Sequence, residues 1–279
     1  MKKWNLIIDV EKCEDCNDCF LSCKDEHVDN DWPGYSVSQP RHGHRWMNIM
    51  RKERGQYPLI DVAYRPTPCM HCDSAPCIKA ARGNAVYKRN DGIVIIDPIK
   101  AKGQQQVVKA CPYGAVWWNE EKDIPQKCTF CAHLLDEGWT KPRCVQACPT
   151  GALRAIYAED SEMERIIKAE DLEVLYPEYK TRPRVYYKNL YLYEKCFIAG
   201  SVAFEKDGAI ECAQGATVSL FKDSNKIAET TTDTFGDFKF DKLDENSGNY
   251  TLEIVYQGHK KKTLDVELKT SLNAGTIHL

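Results

Sequence analysis

The sequence predicts an α+β chain in two parts, a cysteine-rich part of short helices and strands followed by an all-β sandwich. Three observations carry this expectation. Twelve of the 14 cysteines lie between Cys13 and Cys148, and the last 131 residues hold only Cys196 and Cys212. A Cys-Pro-x-Gly-Ala core recurs at Cys111 and at Cys148, each time followed by a strand-like run. From Phe197 the texture changes to short β-rich runs separated by turn residues such as Asp207-Gly208, Gly236 and Ser247-Gly248.

A chain of 279 residues has room for about two domains, and the change of texture sets their boundary near Lys195, giving 1–195 and 196–279. The charges, 38 Lys and Arg against 41 Asp and Glu, leave a net of −3, which excludes nucleic-acid binding through bulk positive charge. The 43% hydrophobic content is enough for packed cores and argues against wholesale disorder.

Taken in order, the elements begin with Leu6-Ile7-Ile8, a run too short for a secretory signal, and no twin-Arg motif is present. The longest aliphatic run, Ile93–Ile96, cannot span a bilayer. A cytoplasmic chain without membrane insertion is therefore expected, with export bound to a signal-bearing partner left open. Ala158–Glu173 reads as an amphipathic helix with Met163, Ile166, Ile167 and Leu172 on its apolar face. Seven strands follow, over residues 197–204, 216–221, 226–230, 238–240, 250–256, 263–268 and 274–279, enough for a small sandwich.

Clustered cysteines without a secretion signal point to metal or redox chemistry rather than disulfides. Cys13, Cys16, Cys19 and Cys23 have C-x2-C-x2-C-x3-C spacing, which wraps three thiolates around one [4Fe-4S] cubane and sends the fourth, on the following helix, to a neighbouring cluster. Zinc takes only four ligands, usually as two separated pairs, so four cysteines in eleven residues suit it poorly. Cys69, Cys72 and Cys77 form a second group, and Cys128, Cys131, Cys144 and Cys148 a further one that by itself could pass for a zinc ribbon. Cys111 stands alone.

Its isolation is informative. Counting back from Cys111 with the same spacing reaches Val107, Gln104 and Ala101, and counting four forward from Cys77 reaches Ala81. In the crossed arrangement, three ligands of one motif join the fourth of its partner. The four non-cysteine positions then all belong to one deleted site. Three complete sets remain: Cys13, Cys16, Cys19 and Cys148; Cys23, Cys128, Cys131 and Cys144; and Cys69, Cys72, Cys77 and Cys111. Three [4Fe-4S] clusters in tandem ferredoxin-like domains are expected. Ala81-Arg-Gly-Asn-Ala-Val-Tyr is then a degenerate third copy of the repeat, with Ala81 at the cysteine position.

Other residues are read structurally. Cys196 and Cys212 are expected as buried or half-buried thiols of the β domain. His71 and His133, beside ligand positions, are expected to pack or hydrogen-bond near the clusters. His42, His44 and Arg45 read as a solvated loop, and Lys260–Lys262 as an exposed strand end. No phosphate loop, nucleophile elbow or carboxylate pair appears, so the chain carries no catalytic residues of its own.

Cys13–Asn30, Pro68–Cys77, Gly92–Asp97 and Cys128–Gly151 resemble the iron–sulfur subunits of molybdopterin oxidoreductases related to DMSO reductase. Most such subunits carry four clusters, and this sequence departs by lacking one ligand set. Segments 44–48, 65–72 and 184–190, with the C-terminal β domain, resemble a branch of that family acting on polyhydroxybenzenes. The resemblance implies a heterodimer. Its large catalytic subunit would hold molybdenum on a bis-molybdopterin guanine dinucleotide, and this chain would transfer electrons. Two readings compete: a reductase for a small oxyanion, sulfur compound or sulfoxide, and an assembly subunit whose clusters are redox-silent. Thr231–Phe240 resembles transthyretin-like or immunoglobulin-like accessory modules.

Overall fold

The computed structural model describes residues 1–279 as two compact units, one of residues 1–51 and 64–190, the other of residues 52–63 and 191–279.

The first unit is organised around β1 (Lys3–Asp9). Its aliphatic run is buried on both faces from Asn5 to Asp9, which is why it reads as continuously apolar rather than alternating. There follow α1 (Asp18–His27) and a long hairpin, β2 (Met47–Gln56) and β3 (Leu59–Pro68), whose tip, residues 52–63, belongs to the second unit. Next come α2 (Pro76–Ala80), the hairpin β4 (Val86–Lys88) and β5 (Val94–Ile96), α3 (Gln106–Lys109), and the hairpin β6 (Trp117–Asn119) and β7 (Ile124–Gln126). The unit ends with α4 (Ala132–Asp136), α5 (Arg143–Ala147), β8 (Leu153–Ala158), α6 (Asp160–Glu170) and β9 (Val185–Lys188). β1 is the central strand, antiparallel to β8 and parallel to β9. α6 lies inside the span predicted for it, and its Met163, Ile166 and Ile167 pack on Ile7, Ile156 and Tyr186.

Four short helices repeat one pattern. The second residues of α1, α2, α3 and α5 are Cys19, Cys77, Val107 and Cys144, the third positions of the four motifs. Four residues further on stand Cys23, Ala81, Cys111 and Cys148. α1 packs against α5, and α2 against α3.

The second unit contains α7 (Tyr191–Glu194) and eight strands: β10 (Cys196–Lys206), β11 (Ala209–Cys212), β12 (Thr217–Lys222), β13 (Asn225–Thr231), β14 (Asp237–Leu243), β15 (Gly248–Val255), β16 (Lys262–Leu268) and β17 (Leu272–His278). One sheet centres on β10, with β14 and β11 pairing along one edge and β17 parallel to it; the other runs β13-β12-β15-β16. Alternate residues Val218, Leu220, Phe238, Phe240, Leu252 and Ile254 point inward and fill one core. All seven expected strands form, and β11 is additional. It escaped prediction because all four of its residues are exposed, so no alternation marks it.

Candidate metal centre

In the first Cys-x-x-Cys segment of each group, the residue before the second cysteine adopts a left-handed backbone: Asp15 (φ 57°), His71 (φ 44°) and Phe130 (φ 57°). This conformation costs a residue with a Cβ about 1–2 kcal/mol, and its recurrence at one position has a common effect. The N–H of each of these residues turns inward onto the thiol two residues back. His71 N–H donates to Cys69 Sγ (3.5 Å), Phe130 N–H to Cys128 Sγ (3.3 Å), and Asp15 N–H to Cys13. Such right- and left-handed alternation gathers N–H groups into a concavity suited to an anion. At Cys111 the donor is Ala115 N–H (3.4 Å).

The thiols assemble into three neighbourhoods. Burial, with Cys13, Cys148 and Cys16 beside it, pushes Cys19 up to about 12. Burial, with Cys69, Cys77 and Cys111 close by, pushes Cys72 up to about 12 and Cys77 to about 11. Burial raises Cys144 far above the usual thiol range, reinforced by Cys131, Cys128 and Cys23. Cys23 is raised likewise, by burial and then by Cys128 and Cys131. This last neighbourhood borders both others. Burial and then the charge of Cys69 raise Cys128 to about 11, while a backbone N–H from Cys69 opposes the shift. Cys19 acts in the same way on Cys144. Cys23, Cys128, Cys131 and Cys144 also line one pocket, walled by Leu6, Met47 and Phe130 among others. No three His, Cys, Asp or Glu side chains stand close enough to hold a single metal ion.

The four non-cysteine positions also come together. Gly103 (φ 73°) keeps the left-handed turn that precedes the second position, here Gln104. The Gln104 side chain then bridges the two segments: Oε1 accepts from Arg82 N–H (2.8 Å), and Nε2 donates to Arg82 O (3.2 Å) and Lys100 O (2.8 Å). Ala101 and Val107 are fully buried. Apolar and amide side chains fill these four positions.

His71 and His133 pack and hydrogen-bond beside the cysteines. His71 Nδ1 accepts from Val94 N–H (3.0 Å), which places its proton on Nε2. Burial, then the charges of Lys127 and Lys88, hold it well below the usual imidazole range and so neutral. His133 Nε2 donates to the Glu26 carboxylate (2.9 Å) and its ring stacks on Trp32.

Three readings of the sequence need correction. His44 is not part of a solvated loop: it is buried, with Nε2 donating to Trp118 O (2.9 Å). Arg45 lies 4.0 Å over the Phe20 ring and bonds Asn48 and Asn17, so within that segment only residues 41–43 are exposed. Cys212 is exposed because it sits on the solvent-facing edge strand β11, whereas Cys196 is buried as expected. Lys260–Lys262 are exposed, also as expected.

Several functional residues escaped the sequence reading. Lys127, whose side chain is buried, donates to Cys128 O (2.9 Å) and to Val94 O. Lys88 donates to His71 O (3.1 Å) and Cys72 O (2.9 Å) and pairs with Asp73 (2.6 Å). Arg184 pairs with Asp73 (2.6 Å) and Asp160 (3.1 Å) and bonds Asn5, tying the Cys72 loop to α6 and β1. Only the adjacency of Lys127 to Cys128 hinted at this cationic support, since the other contacts are made across long sequence separations.

Two family models match the chain: a 4Fe-4S dicluster domain over residues 60–157 and a carboxypeptidase regulatory-like domain over residues 198–278. The cysteine-lined unit and the all-β unit are thus a cluster-binding module and an immunoglobulin-like module. The chain belongs to the iron–sulfur electron-transfer subunits of the DMSO reductase family of molybdopterin oxidoreductases. It is 48% identical to the pyrogallol hydroxytransferase small subunit of Pelobacter acidigallici over 283 aligned positions that cover all of both chains. It is also 33% identical to a putative dimethyl sulfoxide reductase iron-sulfur subunit of Halobacterium salinarum, over 68% of this chain and 80% of that one. To a sulfite dehydrogenase subunit of Allochromatium vinosum it is 32% identical, over 67% and 83%.

Proposed function

We propose that this chain is the electron-transfer small subunit of a heterodimeric molybdenum enzyme that moves hydroxyl groups between polyhydroxybenzenes. The single observation that carries the reading is a likeness of 48% running through the C-terminal β domain as well as the cysteine-rich part. The sulfur and oxyanion enzymes among the relatives align over about two thirds of the chain, which makes the reductase reading the weaker one.

Three [4Fe-4S] clusters would be held in tandem ferredoxin-like domains of 1–195: the first by Cys13, Cys16, Cys19 and Cys148, the second by Cys23, Cys128, Cys131 and Cys144, the third by Cys69, Cys72, Cys77 and Cys111. Packing of α1 on α5 and of α2 on α3 supports this exchange of fourth ligands, and the three thiol neighbourhoods have the same membership. Four cysteines within eleven residues, Cys13 to Cys23, suit a cubane better than zinc. Left-handed turns aim N–H groups at sulfur, and Lys88 and Lys127 place positive charge beside the thiolates. Raised thiol pKa values mean that loading releases protons. Bound clusters supply one-electron storage and relay. The second set, bordering both others, would be the middle station, and the Gln104 bridge ends the line where a fourth would stand.

Molybdenum, on a bis-molybdopterin guanine dinucleotide, would reside in the large partner subunit, which performs the chemistry. No helix is long and apolar enough to cross a membrane. The test is anaerobic co-expression with a molybdopterin-binding large subunit, followed by metal analysis and assay. Co-purification, iron with molybdenum, and hydroxyl transfer between phenols are expected. Zinc without a brown chromophore would overturn the cluster reading. Turnover only with sulfur compounds or oxyanions would support the reductase, and clusters that stay in one redox state through turnover would support a structural role.

A further inference from the structure

The pocket lined by Cys23, Cys128, Cys131 and Cys144 is also bordered by His27 and Trp46. Both rings are enclosed, at 1% and 2% exposure, and they pack together with centroids 4.8 Å apart. Trp46 Nε1–H and His27 Nδ1 have no hydrogen-bond partner in the protein. An indole nitrogen can only donate. More than about 90% of buried polar groups find a partner, so two orphaned nitrogens on one apolar pocket wall call for an acceptor. The four thiols of that wall are where an anionic, sulfur-rich group would lie.

We propose that Trp46 Nε1–H and His27 Nδ1–H donate hydrogen bonds to sulfur of the cluster held by Cys23, Cys128, Cys131 and Cys144, and thereby raise its reduction potential. Donors to sulfur favour the more negatively charged reduced state, and hydrogen bonding to sulfur is a principal control of cluster potential. The middle station of the line is then an electron sink relative to a cluster with the same thiolates and no such donors. This inference rests on the ligand assignment above. Trp46 also borders a second cavity, beside Ser36 and Gln126, where a water would be its alternative acceptor.

The experiment is an EPR-monitored redox titration of the assembled complex. Cys23→Ser first identifies the signal of this set. A change spread over several signals, or confined to the cluster of Cys69, Cys72 and Cys77, would overturn the ligand assignment and the proposal with it. With the signal identified, Trp46→Phe and His27→Phe keep a ring in place and remove a nitrogen. Each is expected to lower the reduced-to-oxidised ratio of that signal about tenfold at fixed poise, roughly 59 mV for one electron, leaving the other two signals and the iron content unchanged. An unmoved midpoint in both variants would overturn the proposal and assign the Trp46 N–H to water. The unmutated complex gives an independent reading: with ¹⁵N-labelled tryptophan, pulsed EPR should detect a nitrogen coupled to this signal, and its absence overturns the Trp46 contact.

Discussion

Cys111 shows how much one residue can owe to its register. In the sequence it has no cysteine within thirty residues upstream or fifteen downstream, yet its thiol lies with Cys69, Cys72 and Cys77. On the proposed ligand sets, Cys111→Ala should abolish the cluster assigned to those three and leave the other two, seen as loss of one EPR signal and about a third of the iron. Charged residues are less legible. Arg54, in an otherwise mixed strand, has a side chain only 1% exposed, paired with Asp61 (2.5 Å) and Asp241 (3.0 Å) and donating to Lys195 O. Asp241→Ala leaves that buried guanidinium half-compensated and should destabilise the β unit by about 2 kcal/mol, measured by thermal unfolding. Burial raises the Asp61 pKa, but Lys239 and Arg54 outweigh it and hold the carboxyl below its ordinary 3.8. A depressed carboxyl adds stability above its unfolded value and loses it as pH falls through the folded one. Acid unfolding below about pH 4 should accordingly be shallower in Asp61→Asn than in the parent chain.

At the scale of elements, repetition was readable and closure was not. The third position of each motif begins a helix, four times over, including α2, which ends just before Ala81, and α3, which begins just before Val107. What joins the four non-cysteine positions depends on Gln104 meeting the backbone of Arg82, a contact no local pattern announces. Gln104→Ala removes four hydrogen bonds at a part-exposed position and should cost about 1–2 kcal/mol in the first unit without altering iron content. In the sandwich, Gly236 (φ 77°) sits where a Cβ would stand 2.4 Å from Val202 O. Gly236→Ala should destabilise the β unit by about 2 kcal/mol or more, read as a lower unfolding midpoint. Its turn role was visible from the sequence, but the close approach to β10 required the sheet.

For the whole molecule, the two units depend on different forces. The β unit has a continuous apolar core from Cys196 to Ile277, with Val202, Val218, Leu220, Leu252 and Ile254 fully buried. The first unit also buries apolar side chains, among them Leu6, Ile8, Trp46, Ile93 and Ile95, but its short helices and two-stranded hairpins are arranged around cysteines, so metal binding is expected to contribute to its folding. Chelation of iron under oxidising conditions should abolish amide-exchange protection in β1 and α1 while β12 and β15 stay protected. Simultaneous loss in both would show that the sandwich does not stand by itself.

By itself the sequence showed the cysteine clustering, the ferredoxin-like spacing on which the proposed ligand sets rest, and the switch to β structure near residue 196, because these are encoded in spacing and alternation along the chain. Tertiary structure alone decided that Gln104 bridges to the backbone of Arg82, that His27 and Trp46 line one pocket with Cys23, Cys128, Cys131 and Cys144, and that the tip of the β2–β3 hairpin joins the second unit. Those outcomes depend on groups distant in sequence meeting in space, where burial and unpaired polar atoms decide the chemistry. Spacing rules describe only neighbours along the chain.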